Sequence, residues 1–351
     1  MTSTLRSILL VLCCVLQAGA QQSLRVLFIG NSHTYYNDLP GMVADLADAG
    51  GHFLQHGQST PGGFAWSQHV EHANTLEAIA DPEGWDWVVL QEQSQMPVIP
   101  WYRENSSRPA AATLDSLIGA AGAQTLFYMT WGWRLGGQQC IGDECSTPFA
   151  DYDEMQDSVS AAYFSFGQQF QATVAPAGLA WQLAHAERPL LGLWAADNYH
   201  PAVSGTFLAA CTIVATLFDE NVSDWPWAAG LDPELASFLR QQADLAVAQA
   251  QQTALNPRPS SFSVVSVTPN PFNPATRFHW VNGNGAAVRL VLYNLRGQRV
   301  RTLVDHWLPA GEQQLVWDGT DDRGHALPSG IFLYDMQARG ERASGRVTLL
   351  R

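Results

Sequence analysis

Val26-Leu27-Phe28-Ile29-Gly30-Asn31-Ser32-His33-Thr34 runs four apolar residues straight into a polar turn, and its reading decides the fold. A short, wholly apolar run rich in branched and aromatic residues reads as a strand covered on both faces. Trp85-Asp86-Trp87-Val88-Val89-Leu90-Gln91 and Gln124-Thr125-Leu126-Phe127-Tyr128-Met129-Thr130 repeat the pattern. Between these runs, residues 39–49 and 110–121 carry helical spacing, and 233–252 reads as a last helix capped by Asp232 with Pro233 in its first turn. Strand alternating with helix over residues 22–253 predicts an α/β layer fold around a parallel sheet.

Beyond that point the composition changes. Residues 254–261 carry Pro, Ser and Asn without periodicity and read as a linker. Residues 262–351 hold short alternating runs separated by Gly- and Asp-rich turns, the pattern of a small all-β sandwich.

A length of 351 residues suits two domains, and 46% hydrophobic with 14% charged residues describes globular units with sizeable cores. The net charge of −14 argues against a nucleic-acid partner. Arg289, Arg296, Arg299 and Arg301 are spaced like strand and turn positions and read as solvated surface. Residues 1–20 have the form of an export signal: Arg6, a short apolar run over 8–16, then Ala18-Gly19-Ala20. Cys13 and Cys14 would leave with it, and no later segment has the length and apolarity of a membrane span. The expected product is an exported chain, secreted or held at the cell surface. In an oxidising compartment Cys140 and Cys145, flanking Ile141-Gly142-Asp143-Glu144, predict a local disulfide. Cys211, inside the apolar run 206–217, reads as a buried free thiol.

Ser32 at the tip of the first strand is either a helix N-cap or a nucleophile. A second stretch, Ala196-Asp197-Asn198-Tyr199-His200-Pro201, favours the nucleophile. Serine catalysis needs a base beside the hydroxyl and a carboxylate that holds the base in the right tautomer, and Asp-x-x-His presents both from one turn. Ligands of parallel sheets gather at the carboxyl ends of the strands, which is where Ser32 falls.

Four blocks in order, Ile29-Gly30-Asn31-Ser32-His33-Thr34, Gly62-Gly63-Phe64-Ala65-Trp66, residues 85–97 and Asp197-Asn198-Tyr199-His200-Pro201, resemble the SGNH or GDSL-type hydrolase superfamily. The likeness is strongest to a bacterial branch in which Gly-Asn-Ser-x-Thr replaces Gly-Asp-Ser-Leu. It implies a flavodoxin-like three-layer fold and ester hydrolysis through a serine acyl-enzyme, with no cofactor and no metal. Carried over, Ser32 matches the nucleophile, His200 the base and Asp197 its orienting carboxylate. The oxyanion hole would use the N–H of Ser32, that of Gly63 (with Gly62 beside it), and a third donor. At that third position the chain departs from the family's Gly-x-Asn-Asp and has Gln91-Glu92-Gln93, so Gln93 is the favoured donor and Gln91 the alternative. The expected substrates are short acyl esters, acetyl above all, on carbohydrate. The competing readings are acyl transfer at the same site and a non-catalytic glycan-binding module.

The tail resembles the immunoglobulin-like C-terminal sorting domain of bacterial type IX secretion, through Asn270-Pro271-Phe272-Asn273-Pro274, Trp317-Asp318-Gly319 and Ser329-Gly330-Ile331-Phe332. That likeness implies the outer-membrane secretion machinery as a partner. A related Ig-like domain of flagellar hook-capping proteins shares much of this pattern.

His33 is expected to line the pocket without taking part in the chemistry. Trp131 and Trp133 are candidates for a cleft wall, and Arg134 for holding a substrate. Trp85 and Trp87 read as packing. His52 with His56, and His69 with His72, have the spacing of a metal pair on a helix but lack an acidic partner, and read as solvated helix-surface histidines.

Overall fold

The computed structural model describes residues 21–255, 262–282, 286–308, 311–338 and 341–351. The expected export signal, and residues 256–261 of the expected linker, lie outside the described residues.

Five parallel strands form the first sheet: β1 Ser23–Ile29, β2 Phe53–Ser59, β3 Trp87–Leu90, β4 Gln124–Tyr128 and β5 Thr173–Ala175. Their order is β2-β1-β3-β4-β5, the flavodoxin-like arrangement, whose strand order reverses between β1 and β3. Consecutive side chains of a strand point to opposite faces, and the core divides accordingly. Val26 and Phe28 pack with α1 Leu39–Ala49, α4 Ala177–Glu187, α5 Val203–Phe218 and α6 Pro233–Leu255. Leu27 and Ile29 pack with α2 Arg108–Ala120 and the body of α3 Tyr152–Phe170. All four β1 side chains are buried, each contributing about 1.5–3 kcal/mol. The three-layer expectation for this domain therefore holds, and Trp85 and Trp87 pack against its two cores.

Two strands were not legible in the sequence. β2, Phe-Leu-Gln-His-Gly-Gln-Ser, is an edge strand with mixed exposure, and β5 is only three residues long. The last helix runs to Leu255, so Ala254 and Leu255 extend α6 where a linker was expected. Cys140 and Cys145 are joined across a two-stranded hairpin, and Cys211 is a buried free thiol in α5.

The strand ladders of the C-terminal part are antiparallel. Strands β6 Phe262–Thr268, β7 Thr276–Asn282 and β10 Gly311–Trp317 form one sheet, ordered β10-β7-β6. Strands β8 Ala286–Tyr293, β9 Arg299–Leu308, β11 Gly330–Ala338 and β12 Glu341–Leu349 form the other, ordered β9-β8-β11-β12. Phe278, Trp280, Leu290, Trp317, Met336 and Val347 are buried in one core drawn from both sheets. Arg289, Arg296 and Arg299 are exposed and Arg301 is half-buried, in keeping with a solvated surface.

Candidate active site

β1 ends at Ile29, and Ser32 opens a single helical turn, Ser32–Tyr35. The cap of that turn is Asn31, whose Oδ1 accepts the His33 N–H at 3.1 Å. With the cap supplied by its neighbour, the Ser32 hydroxyl is free to point elsewhere: it lies 2.8 Å from His200 Nε2. His200 Nδ1 lies 2.7 Å from Asp197 Oδ2. A carboxylate accepts only, so Nδ1 carries the proton and Nε2 is left to accept from the Ser32 hydroxyl. Asp197 Oδ1 also accepts the N–H groups of Tyr199 at 3.2 Å and His200 at 3.0 Å. Burial works to raise the Asp197 carboxyl, but these hydrogen bonds from His200 and Tyr199 prevail and hold it below the usual carboxylate range. Sequence reasoning thus named three residues that the fold brings into one chain of bonds.

The His loop is held from outside by groups that the sequence did not assign to this task. Trp131 Nε1 donates to the Tyr199 carbonyl at 2.9 Å, and the Arg134 N–H donates to the Asn198 carbonyl at 2.9 Å. Trp131 is fully buried and stacked on Trp181 at 3.9 Å, so it is not a cleft wall. The Arg134 side chain is exposed and lies over Trp194, outside the pocket lining, so it is not placed to hold a substrate there. Both residues support the His loop instead. Asn37, at φ 52°, donates to the Pro201 carbonyl at 3.1 Å and ties the segment after Ser32 to the same loop. Tyr36 stacks on His200 in parallel, with ring centres 4.1 Å apart and planes 2° from parallel. Asn37 could have been suspected as a residue tolerant of the left-handed region. Nothing in the sequence marked Tyr36.

A pocket of about 460 Å³ opens at this point, lined by Ser32, His33, Tyr35, Tyr36, Gly62, Gly63, Gln93, Trp133, Tyr199 and His200 among others. His33 and Trp133 line it as expected, and Trp133 stacks on Tyr199 at 5.1 Å. Burial and the proximity of His200 push the His33 imidazole down to about 3, so it is neutral at ordinary pH. Gly63 adopts φ 73°, a conformation that favours glycine, and its N–H and that of Ser32 have no hydrogen-bond partner among the described residues.

The three residues after β3 have separate tasks. Gln91 is fully buried: its Oε1 accepts the Asn31 N–H and the Thr34 hydroxyl, each at 2.9 Å, and its Nε2 donates to the Glu92 carbonyl. Its Oε1 holds the Ser32 turn, and the residue is fully buried and outside the pocket lining, so the alternative of Gln91 as an oxyanion donor is set aside. A β-carbon on Gly30 would come within 2.4 Å of Thr34 Oγ1 and 2.5 Å of Gln91 Oε1, which explains a glycine there. Glu92 is also buried, and the sequence reading did not single it out. Gln93 Oε1 accepts the N–H groups of Gln95 at 2.7 Å and Met96 at 3.2 Å, which fixes the amide. Its Nε2 donates once, to Gln95 Oε1 at 3.2 Å, and a second N–H remains beside the pocket.

The histidine pairs depart from expectation. His69 is fully buried, 2.9 Å from the Gly30 carbonyl and 2.8 Å from the Thr75 hydroxyl, and so braces the backbone two residues before Ser32. His52 is buried before β2 beside Phe218, and His56 lies within β2, so neither pair is a solvated helix surface. Among the described residues no group of three or more His, Cys, Asp or Glu is placed to hold a metal.

Comparison with known proteins follows the same division of the chain. Residues 275–343 match the family model of the FlgD Ig-like domain. No curated protein matches the chain. Among solved structures, a protein from Slackia heliotrinireducens described as an SGNH hydrolase is 28% identical, covering 56% of this chain and 99% of its own, with a TM-score of 0.46. A DUF4886 family protein from Bacteroides uniformis is 20% identical over 67% of this chain and 96% of its own, with a TM-score of 0.52, and shares the fold. FlgD from P. aeruginosa is 21% identical over 25% of this chain and 66% of its own, with a TM-score of 0.18.

Proposed function

We propose that this protein is a serine esterase acting on short acyl esters of carbohydrates, acetyl esters foremost. The observation that carries the reading is the unbroken line Ser32 Oγ to His200 Nε2 to Asp197, at 2.8 and 2.7 Å, opening into a pocket at the carboxyl end of β1. His200 Nε2 takes the Ser32 proton as Oγ bonds to the ester carbonyl carbon. The carbonyl oxygen becomes an oxyanion that accepts hydrogen bonds from the N–H groups of Ser32 and Gly63 and the spare N–H of Gln93. The intermediate collapses as the carbon–oxygen bond to the alcohol breaks, and His200 returns its proton to the departing alcohol. Water then repeats the sequence against the acyl-enzyme, releasing the acid and restoring Ser32. Neutral His33 places no second positive charge beside the imidazolium that forms on His200.

The substrate class is supported by the lining. Tyr35, Tyr36, Trp133 and Tyr199 offer ring faces, Gln93, Ser94 and Gln95 offer amides and a hydroxyl, and among the described residues no Lys, Arg, Asp or Glu lines the pocket. Such a surface suits an uncharged, hydroxyl-rich alcohol better than a phosphate or a carboxylate. Purified protein is expected to hydrolyse p-nitrophenyl acetate and to release acetate from acetylated glycans, and Ser32→Ala to lower kcat at least about 10⁴-fold. Equal rates for Ser32→Ala and wild type would overturn the reading.

We further infer export, with the C-terminal sandwich serving delivery to the secretion machinery. The form of residues 1–20 and the motifs of residues 262–351 support this. Expression of the chain truncated after residue 261 in a bacterium with type IX secretion tests it: unchanged arrival outside the cell would defeat it.

A further inference from the structure

Glu92 sits in the domain core directly after β3, and its side chain is fully buried. One carboxyl oxygen, Oε1, accepts two backbone N–H groups: that of Trp66 at 2.9 Å and that of Gln93 at 2.8 Å. The carboxyl also feels the buried Ser107 side chain, which works against the effect of burial, although Oε2 makes no hydrogen bond of ordinary geometry among the described residues. The Glu92 N–H donates to the Tyr163 hydroxyl at 3.2 Å, which anchors the residue to α3. A buried carboxyl is a costly way to fill core volume unless its bonds do something an apolar side chain cannot.

The two segments so joined are those on which the oxyanion donors sit. Trp66 opens the short helix Trp66–His69, and its N–H is one of the donors that a helix start leaves without a partner. Three residues before it stands Gly63, whose turn is closed by the Phe64 N–H on the Pro61 carbonyl at 3.2 Å and tied to the Ser32 turn by Asn31 Nδ2 on the Phe64 carbonyl at 2.8 Å. Gln93 carries the third candidate donor. No other bond among those described links residues 62–66 with Gln93. We propose that Glu92 is a positioning residue, a buried clamp whose Oε1 fixes the Gly63 turn and the Gln93 turn relative to each other. This rests on the esterase reading only for the consequence to rate; the clamp itself is a statement about two backbone segments.

Burial pushes the Glu92 carboxyl up to about 7, so near neutrality a large share of the side chain is uncharged, and glutamine reproduces that form. Glu92→Gln keeps an acceptor at Oε1, whereas Glu92→Met keeps the length and removes the acceptor. The test is amide hydrogen exchange, read on peptides covering 62–66 and 91–96, alongside kcat and KM on p-nitrophenyl acetate. The clamp predicts that exchange in both segments rises together about tenfold or more in Glu92→Met, and stays within about threefold of wild type in Glu92→Gln. It also predicts kcat lowered at least about tenfold in Glu92→Met with KM within about threefold, and restored by glutamine. Should Glu92→Met not fold, Glu92→Asp, which withdraws the oxygen by one methylene, is read by the same criterion. Exchange rising in one segment alone, or in neither, overturns the clamp. Absence of Ser32-dependent turnover in wild type overturns the esterase reading instead, and the exchange result still decides the clamp.

Discussion

Two segments meet at the pocket and differ in where the partners of their own side chains lie. In the loop Asp197-Asn198-Tyr199-His200 the side-chain bonds of the catalytic groups are local, Asp197 reaching two N–H groups and an imidazole within three residues of itself, while Trp131 and Arg134 brace only its carbonyls. The strand end Gln91-Glu92-Gln93 is held from afar, with Gln91 bonded to Asn31 and Thr34, and Glu92 to Trp66 and Tyr163. The Asp197 bonds to His200 and Tyr199 are made within one turn, whereas those of Gln91 and Glu92 need distant segments brought together. Substitution in the first is expected to change rate and leave stability alone; substitution in the second is expected to change both.

The largest effect tests the first half of that contrast. Asp197→Asn is expected to lower kcat about 10⁴-fold by releasing His200 into the wrong tautomer. Its thermal midpoint should stay within about 2 °C of wild type, because the carboxyl is partly exposed. A rate within tenfold of wild type would break the comparison. Next, Gln93→Ala removes a donor and is expected to cost about 10²–10³ in kcat; an unchanged rate would leave only the backbone donors of Ser32 and Gly63. Gln91→Leu strands the Asn31 N–H and the Thr34 hydroxyl, and should lower the free energy of unfolding in urea by about 2–4 kcal/mol. A loss below about 1 kcal/mol would mean that the Ser32 turn is not held from β3.

The smallest effect sharpens the account of the buried groups. His33 and His69 are pushed down to about 3 and about 4, both by burial first. The unfolded chain therefore takes up protons below pH 6.5 that the folded chain refuses, and stability falls as pH drops. Glu92, raised to about 7, works the other way, because the folded state keeps a proton that the unfolded chain loses above pH 4.5. Between pH 4.5 and 6.5 two histidines oppose one carboxyl, so stability should fall by about 1.4 kcal/mol per unit of acidification, and about twice as steeply in Glu92→Gln. Urea unfolding at pH 6.5 and 5.0 measures both slopes; equal slopes would show that Glu92 is not neutral in the fold.

The same contrast explains what the sequence could reveal. β1, β3 and β4 were legible because strands buried on both faces must be apolar throughout, and Asp197 with His200 because their partnership spans three residues. β2 hid behind its polar edge. Trp131 and Arg134 were read as substrate contacts because they follow β4, but their distance from Asn198 and Tyr199 along the chain concealed what they hold. Gln91 was weighed as a donor by its position in the block, yet its partners lie about sixty residues upstream, and only the fold tells which way its amide faces.

The parallel stack of Tyr36 on His200 has a consequence for motion. An imidazole on a surface loop turns about two side-chain torsions and reaches a reactive orientation only part of the time. Here one face lies flat on Tyr36, the Tyr199 ring is 4.2 Å from it, and both nitrogens are engaged. The rotational freedom that a loose ring would surrender at every turnover is surrendered once, when the chain folds. The same histidine can then accept a proton and give it back without turning in between.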